Sequence, residues 1–127
     1  MAHNPGFEQL VNSVRPRVQE YRVQEIQARI ERGDPFYFID VREDHEWATG
    51  RARGAIHLGR GILERDIEDC VPKKDAEIIL YCGGGYRSVL AAASLMEMGY
   101  ERVASMAGGI KAWRQAGFPM EPGPDSV

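Results

Sequence analysis

Apolar positions in this chain recur with two periods, and the alternation between them lays out its elements. Asn4 followed by Pro5 has the form of an N-cap and first helical residue. Phe7, Leu10, Val11 and Val14 then repeat at helical spacing as one apolar stripe. Pro16 is expected to end or kink that helix near Arg15. A second helix is expected from about Val23, with Ile26 and Ile30 on one face and Gly33 as its stop. Asp34-Pro35 makes a turn. Phe36-Tyr37-Phe38-Ile39 is a short apolar and aromatic run of the kind that forms a buried strand, ending at Asp40-Val41-Arg42.

Residues 43–49 fit a short helix closed by Gly50, and Ala55 to Leu58 a short strand. Leu63, Ile67 and Cys70 or Val71 repeat at helical spacing until Pro72. Glu77 to Tyr81 carries the strongest strand signal. Val89, Ala92, Ala93 and Met96 mark a helix ending at Gly99, and Leu90, Ala91 and Leu95 on its other faces make it the most enclosed one. Val103 to Met106 is a last short strand. Gly108-Gly109 turns into a helix bearing Ile110 and Trp113, stopped by Gly117 and Pro119.

Strands alternating with helices predict an α/β fold: a small central, mostly parallel sheet with helices on both faces, plus an extra N-terminal helix. Residues 1–22 would form a helical arm packed on the main domain, residues 23–120 that domain, and residues 121–127 a flexible tail with too little apolar content to order itself. Ligands in such sheets bind beyond the carboxyl ends of the strands. Asp40 and Arg42 end one strand and Cys82 follows another, which locates a site.

A chain of 127 residues is the size of one domain. Its 43% apolar and 28% charged residues are ordinary for a globule. A formal charge of −3 leaves no basic footprint for nucleic acid. The local cluster Arg51, Arg53 and Arg60 is read as a solvated loop in preference to a docking patch for an acidic partner. No apolar run approaches the roughly 20 residues of a spanning helix, and the N-terminus lacks the apolar stretch of a signal peptide. Neither a membrane nor a nucleic acid is an expected partner. Two cysteines are too few for a disulfide scaffold, so a reducing, cytoplasmic setting is expected. Cys70 shares the face of Leu63 and Ile67 and is expected to be a buried, inert thiol. His57 lacks ligand companions, so no metal site is proposed. Trp47 and Trp113 are read as packing residues.

The segment Cys82-Gly83-Gly84-Gly85-Tyr86-Arg87-Ser88 fits no regular element. It joins a buried strand to a helix that starts near Tyr86 or Arg87, whose N-terminus stabilises anions. Three glycines can adopt backbone angles closed to other residues, so their N–H groups could turn inward together as an anion-binding nest. Arg87 would add a charge at its far edge, and such surroundings favour a thiolate. Tyr86 would shape or cover the mouth. A buried structural cysteine beside a glycine-rich turn is the plain alternative. It leaves the three glycines, the arginine and the helix start unexplained.

Cys82 to Ser88 resembles the active-site loop of rhodaneses. Phe38 to Glu43 (FIDVRE), then Glu46 and Gly50, are similar to the family's aspartate-valine-arginine stretch with its downstream glutamate and glycine. Gly54-Ala55-Ile56 fits the next strand. Ala107-Gly108-Gly109 to Trp113, then Gly117 and Pro119, resemble the closing segment. The resemblance spans roughly Val23 to Met120, and Arg51-Ala52-Arg53 stands where the family usually has His-Ile-Pro.

This resemblance implies a ping-pong sulfurtransferase without metal or organic cofactor. Cys82 would take sulfane sulfur from thiosulfate or a persulfide and pass it to cyanide, glutathione or a protein thiol. Asp40 would brace the loop by accepting hydrogen bonds. Arg42 would either pair with Glu46 or reach toward the loop. Two other readings stay open: a non-catalytic rhodanese-like module that binds or regulates a partner, and a cysteine phosphatase or arsenate reductase. The latter enzymes carry Cys-x5-Arg, whereas Cys82 to Arg87 counts Cys-x4-Arg, a loop sized for one sulfur atom.

Overall fold

In the computed structural model, which describes residues 3–122, a run of five apolar or half-buried residues forms the centre of the sheet. The chain order is α1 (Pro5–Val14), a 3-10 turn at Arg15–Arg17, β1 (Gln19–Tyr21), α2 (Val23–Arg32), β2 (Tyr37–Asp40), α3 (Asp44–Ala48) and β3 (Arg51–Ala52). There follow β4 (Ile56–His57), α4 (Leu63–Cys70), β5 (Glu77–Tyr81), α5 (Arg87–Glu97), β6 (Arg102–Met106), α6 (Gly109–Gln115) and β7 (Met120–Glu121). Five strands form a parallel sheet in the order β1-β6-β5-β2-β4, and β3 pairs antiparallel with β7.

Strand β5 is central and faces two cores, because alternate side chains of a strand point to opposite sides. Ile78 and Leu80 meet Val11 and Val14 of α1, Leu63 and Ile67 of α4, and Val89, Ala92 and Leu95 of α5. Ile79 and Tyr81 meet Val23 and Ile26 of α2 and Ile110 and Trp113 of α6. Helices therefore cover both faces, as the alternation of strands and helices implies. Among the described residues no helix is long and apolar enough to cross a membrane.

Several local expectations are corrected. Strand β1 lies in the segment read as a purely helical arm, and it pairs with β6 at the sheet edge. Leu10 is 52% exposed although its neighbours Val11 and Val14 are buried, so the stripe on α1 is narrower than the spacing suggests. Ile30 also stands partly in solvent on α2. Glu121, assigned to the tail, pairs with Arg51. Residues 123–127 of that tail lie outside the described residues. Cys70 is exposed rather than buried. The helical stripe from Leu63 and Ile67 continues to Val71, which is fully buried.

Candidate active site

Parallel register brings the two suspect strand ends together. Asp40 of β2 stands opposite Tyr81 of β5, and the Val41 N–H donates to the Tyr81 carbonyl at 2.9 Å. Cys82 thus leaves the sheet beside Val41, at the carboxyl edge where ligands of such folds bind.

Cys82 is buried, and its sulfur is met by polar groups. The Gly85 N–H donates to Sγ at 3.2 Å and the Ser88 N–H at 3.4 Å, while Ser88 Oγ lies 3.4 Å away. Ser88 Oγ is in turn 2.7 Å from Ser105 Oγ on β6, and both serines are fully buried. Amides from the turn before α5 and from its first turn therefore converge on one atom, as an anion-binding nest requires.

The loop is held from its opposite side by α6. The Ile110 N–H donates to the Cys82 carbonyl at 2.9 Å and the Lys111 N–H to the Gly83 carbonyl at 3.2 Å. These bonds fix the peptide planes at the start of the loop, those that carry the Gly83 and Gly84 amides, while the Gly85 and Ser88 amides that face sulfur follow further along. So close an approach needs glycine. A Cβ at Gly109 (φ 59°) would fall 2.5 Å from the Gly83 carbonyl oxygen, and one at Gly85 (φ 91°) 2.9 Å from the Gly108 nitrogen.

The cradle differs from the one expected. Of the three glycine amides only that of Gly85 reaches Sγ; Gly83 and Gly84 do not, and Ser88 supplies the second donor. Arg87 turns to Glu46 on α3, with Nη1–Oε1 at 2.9 Å and Nη2–Oε2 at 3.1 Å. Glu46 Oε1 also accepts the Glu43 N–H at 3.0 Å, so the carboxylate is fixed from its own helix as well. The Arg87 hydrogen bonds pull the Glu46 carboxyl down to about 2, against an opposing push from partial burial. Arg87 is correspondingly held above its ordinary value, first by Glu46 and to a lesser degree by Cys82.

Arg42 neither pairs with Glu46 nor touches the loop. Its Nε lies 3.0 and 3.1 Å from the two Asp40 oxygens and its Nη2 2.8 Å from Oδ2, while the same Nη2 donates to the Gly50 carbonyl at 2.7 Å. Asp40 Oδ1 also accepts the Arg42 N–H at 2.9 Å. Both side chains are buried. This pair clamps the end of β2 to the turn after α3, so Asp40 braces that turn and not the Cys82 loop.

Tyr86 packs under α1, with its ring 4.1 Å from that of His3 and 5.8 Å from that of Phe7, and the Arg15 guanidinium 5.4 Å from its centroid. The basic cluster is only partly solvated. Arg51 lies 4.1 Å over Trp47, which stacks on His57 at 4.8 Å, and Arg60 pairs with Glu64; Arg53 alone is exposed. Sequence reasoning did not single out Ser105, and it offered Glu46 as a partner of Arg42 rather than of Arg87. The Glu46–Arg87 contact spans 41 residues and has no local signature.

Residues 22–116 match the rhodanese-like domain family. A sulfurtransferase of Allochromatium vinosum is 32% identical over 81% of this chain and 94% of its own length. The thiosulfate sulfurtransferase GlpE of Actinobacillus succinogenes is 37% identical over 65% of this chain and 73% of its own. Among solved structures, a Rhodopseudomonas palustris protein described as of unknown function and a possible tyrosine phosphatase superposes with a TM-score of 0.81 at 29% identity, covering 95% of this chain and 98% of that one. A thiosulfate sulfurtransferase from Pseudomonas aeruginosa gives 0.82 at 25% identity, with 92% of this chain covering 22% of that one. By the family match over most of its length, the chain is a member of the rhodanese-like domain family.

Proposed function

We propose that this protein is a sulfurtransferase that carries sulfane sulfur as a persulfide on Cys82, taking it from thiosulfate or a persulfide and passing it to cyanide or a thiol. The observation that carries this reading is the environment of Sγ: two amides donate to a single sulfur, with one hydroxyl beside it. Such donors stabilise a negative sulfur before and after it gains an atom. The Cys82 thiolate attacks the sulfane sulfur of the donor, the donor's S–S bond breaks, and sulfite or a thiolate leaves with the electron pair. The acceptor then attacks the outer sulfur and regenerates the Cys82 thiolate. Asp40 and Arg42 clamp the end of β2, the strand beside the one from which the loop departs, and in this reading take no part in the transfer. Both cysteines are free thiols, which suits a reducing compartment such as the cytoplasm.

The sulfurtransferase names of the relatives support this reading over a non-catalytic module or a phosphatase. So does the short Cys82-to-Arg87 spacing, whose arginine is engaged by Glu46. Intact mass spectrometry after incubation with thiosulfate or a persulfide tests it. A gain of one sulfur atom is expected, discharged by cyanide or glutathione, absent in Cys82→Ser and retained in Cys70→Ser. A Cys82→Ala protein with full transfer activity would remove the proposal, and a folded wild-type protein that gains no sulfur from any donor would favour the partner-binding module.

A further inference from the structure

We infer that Glu46 sets the donor preference of the Cys82 site: by occupying Arg87 through both carboxylate oxygens, it disfavours dianionic thiosulfate relative to a thiol persulfide. This rests on the sulfurtransferase reading of Cys82.

From Gly83 to Ser88 the loop contains one cationic side chain, Arg87. A guanidinium with its fork open would be the natural clasp for an oxyanion. Here both terminal nitrogens already face carboxylate oxygens. The pair also stands over the loop, since a Cβ at Gly83 would lie 3.2 Å from Arg87 Nη2 and 3.9 Å from Glu46 Oε2. Both charges therefore flank the residue next to Cys82. Glu46 cannot simply swing aside, because its Oε1 is held by the Glu43 N–H. With its carboxyl drawn down to about 2, it is anionic throughout the neutral range.

Neighbouring charges do not reverse this balance: Arg42, the other cation that Glu46 feels, is tied to Asp40. Glu43 and Asp44, both exposed at the start of α3, add negative charge on the Glu46 side. Lys111, whose N–H holds the Gly83 carbonyl, has an exposed side chain. Solvent and salt screen a charge in that position. Thiosulfate must either displace Glu46 from Arg87 or bring two negative charges beside a carboxylate. A persulfide with an uncharged body brings at most one negative charge, and none as the RS–SH form that reacts. In that case the thiolate attacks the terminal sulfur of RS–SH, a new S–S bond forms on Cys82, and RS⁻ departs with the electron pair. Atoms and charge balance without an added oxidant or reductant.

The test compares kcat/KM for thiosulfate and for mercaptoethanol persulfide, with cyanide as the common acceptor, in the wild type, Glu46→Gln, Glu46→Asp and Glu97→Gln. Glu46→Gln should raise the ratio of the thiosulfate value to the persulfide value roughly tenfold, chiefly through the KM for thiosulfate. Glu46→Asp should restore the wild-type ratio, and Glu97→Gln, the same charge change at the far end of α5, should alter neither. In the wild type, added inert salt should raise the thiosulfate value and leave the persulfide value flat, because screening weakens repulsion. This salt arm needs no variant to fold. An unchanged donor ratio in Glu46→Gln, parallel loss with both donors, or a thiosulfate value that falls with salt would each overturn the inference while Cys82 still gains sulfur. If the wild-type protein gains none from either donor, the reading of Cys82 itself falls.

Discussion

Asp40 and Arg42, two residues apart at the end of β2, form a buried pair in which Arg42 Nε and Nη2 approach both Asp40 oxygens between 2.8 and 3.1 Å. Removing one member of such a pair strands the other charge away from water. Arg42→Ala is therefore expected to destabilise the fold by about 3–5 kcal/mol, read by urea unfolding. Arg42→Lys, which cannot reproduce the fork, should recover only part of that loss. Sulfur loading of Cys82 per folded molecule should survive both changes, because the pair clamps the Gly50 turn and not the loop.

A second expectation concerns a residue that never touches sulfur. Gly109→Ala places a methyl group 2.5 Å from the Gly83 carbonyl oxygen and 2.6 Å from that of Cys82. Positive φ adds backbone strain of roughly 1–3 kcal/mol. The loop must shift, and Gly85 and Ser88 lose their aim. Persulfide formation should fall sharply while far-ultraviolet circular dichroism stays close to wild type. Gly6→Ala, where a Cβ meets nothing within 4 Å, is the control.

Ser88 and Ser105 share a buried hydroxyl contact of 2.7 Å behind Cys82. Ser88→Ala removes the hydroxyl beside Sγ but keeps the amide, so the transfer rate should fall roughly tenfold, equivalent to ~1.4 kcal/mol. Ser105→Ala leaves Ser88 free to turn wholly toward sulfur. Its effect on rate should be smaller, with a stability cost of about 1 kcal/mol. Single-turnover kinetics alongside chemical denaturation separates the two.

The Glu46–Arg87 pair gives stability a dependence on acid. The Glu46 carboxyl lies below its ordinary 4.5, at about 2, in the folded protein. A depressed carboxyl contributes stability that is fully present above the unfolded value and is lost as pH falls through the folded one. The loss belongs to the window from about 4.5 down to about 2. Unfolding midpoints measured across that window should fall less steeply in Glu46→Gln than in the wild type, with the curves converging at its acid end.

Much of this architecture is legible in the sequence where burial is complete. Ile78 to Tyr81 are fully buried on both faces, and a strand of that kind reads as an unbroken apolar run. Gly85 marks the loop for the same reason that Gly33 marks the end of α2, a positive φ that other residues avoid, whereas Gly83 and Gly84 have no such angle. What escaped notice is polar, short or distant. Gln19–Tyr21 is an edge strand of sequence QEY whose exposure gives no apolar signal. β3 and β7 have two residues each. Cys70 and Val71 both fit a helical repeat after Ile67, and the burial of Val71 decides between them. The sequence leaves Arg42 to pair with Glu46 or to reach the loop, but α3 begins at Asp44, so the two never share a helix, and Arg42 turns to Asp40.

The amides of Ile110 and Lys111 grip the carbonyls of Cys82 and Gly83 from behind. Those two bonds fix the first peptide planes of the loop, and so limit where the next amide along, that of Gly85, can sit. An anion arriving at position 82 meets dipoles that are oriented in advance, and little reorganisation energy is left to limit how fast its charge can change. The seating of α6, an element that makes no hydrogen bond to the sulfur itself, is thus the feature through which distant substitutions would tune the site.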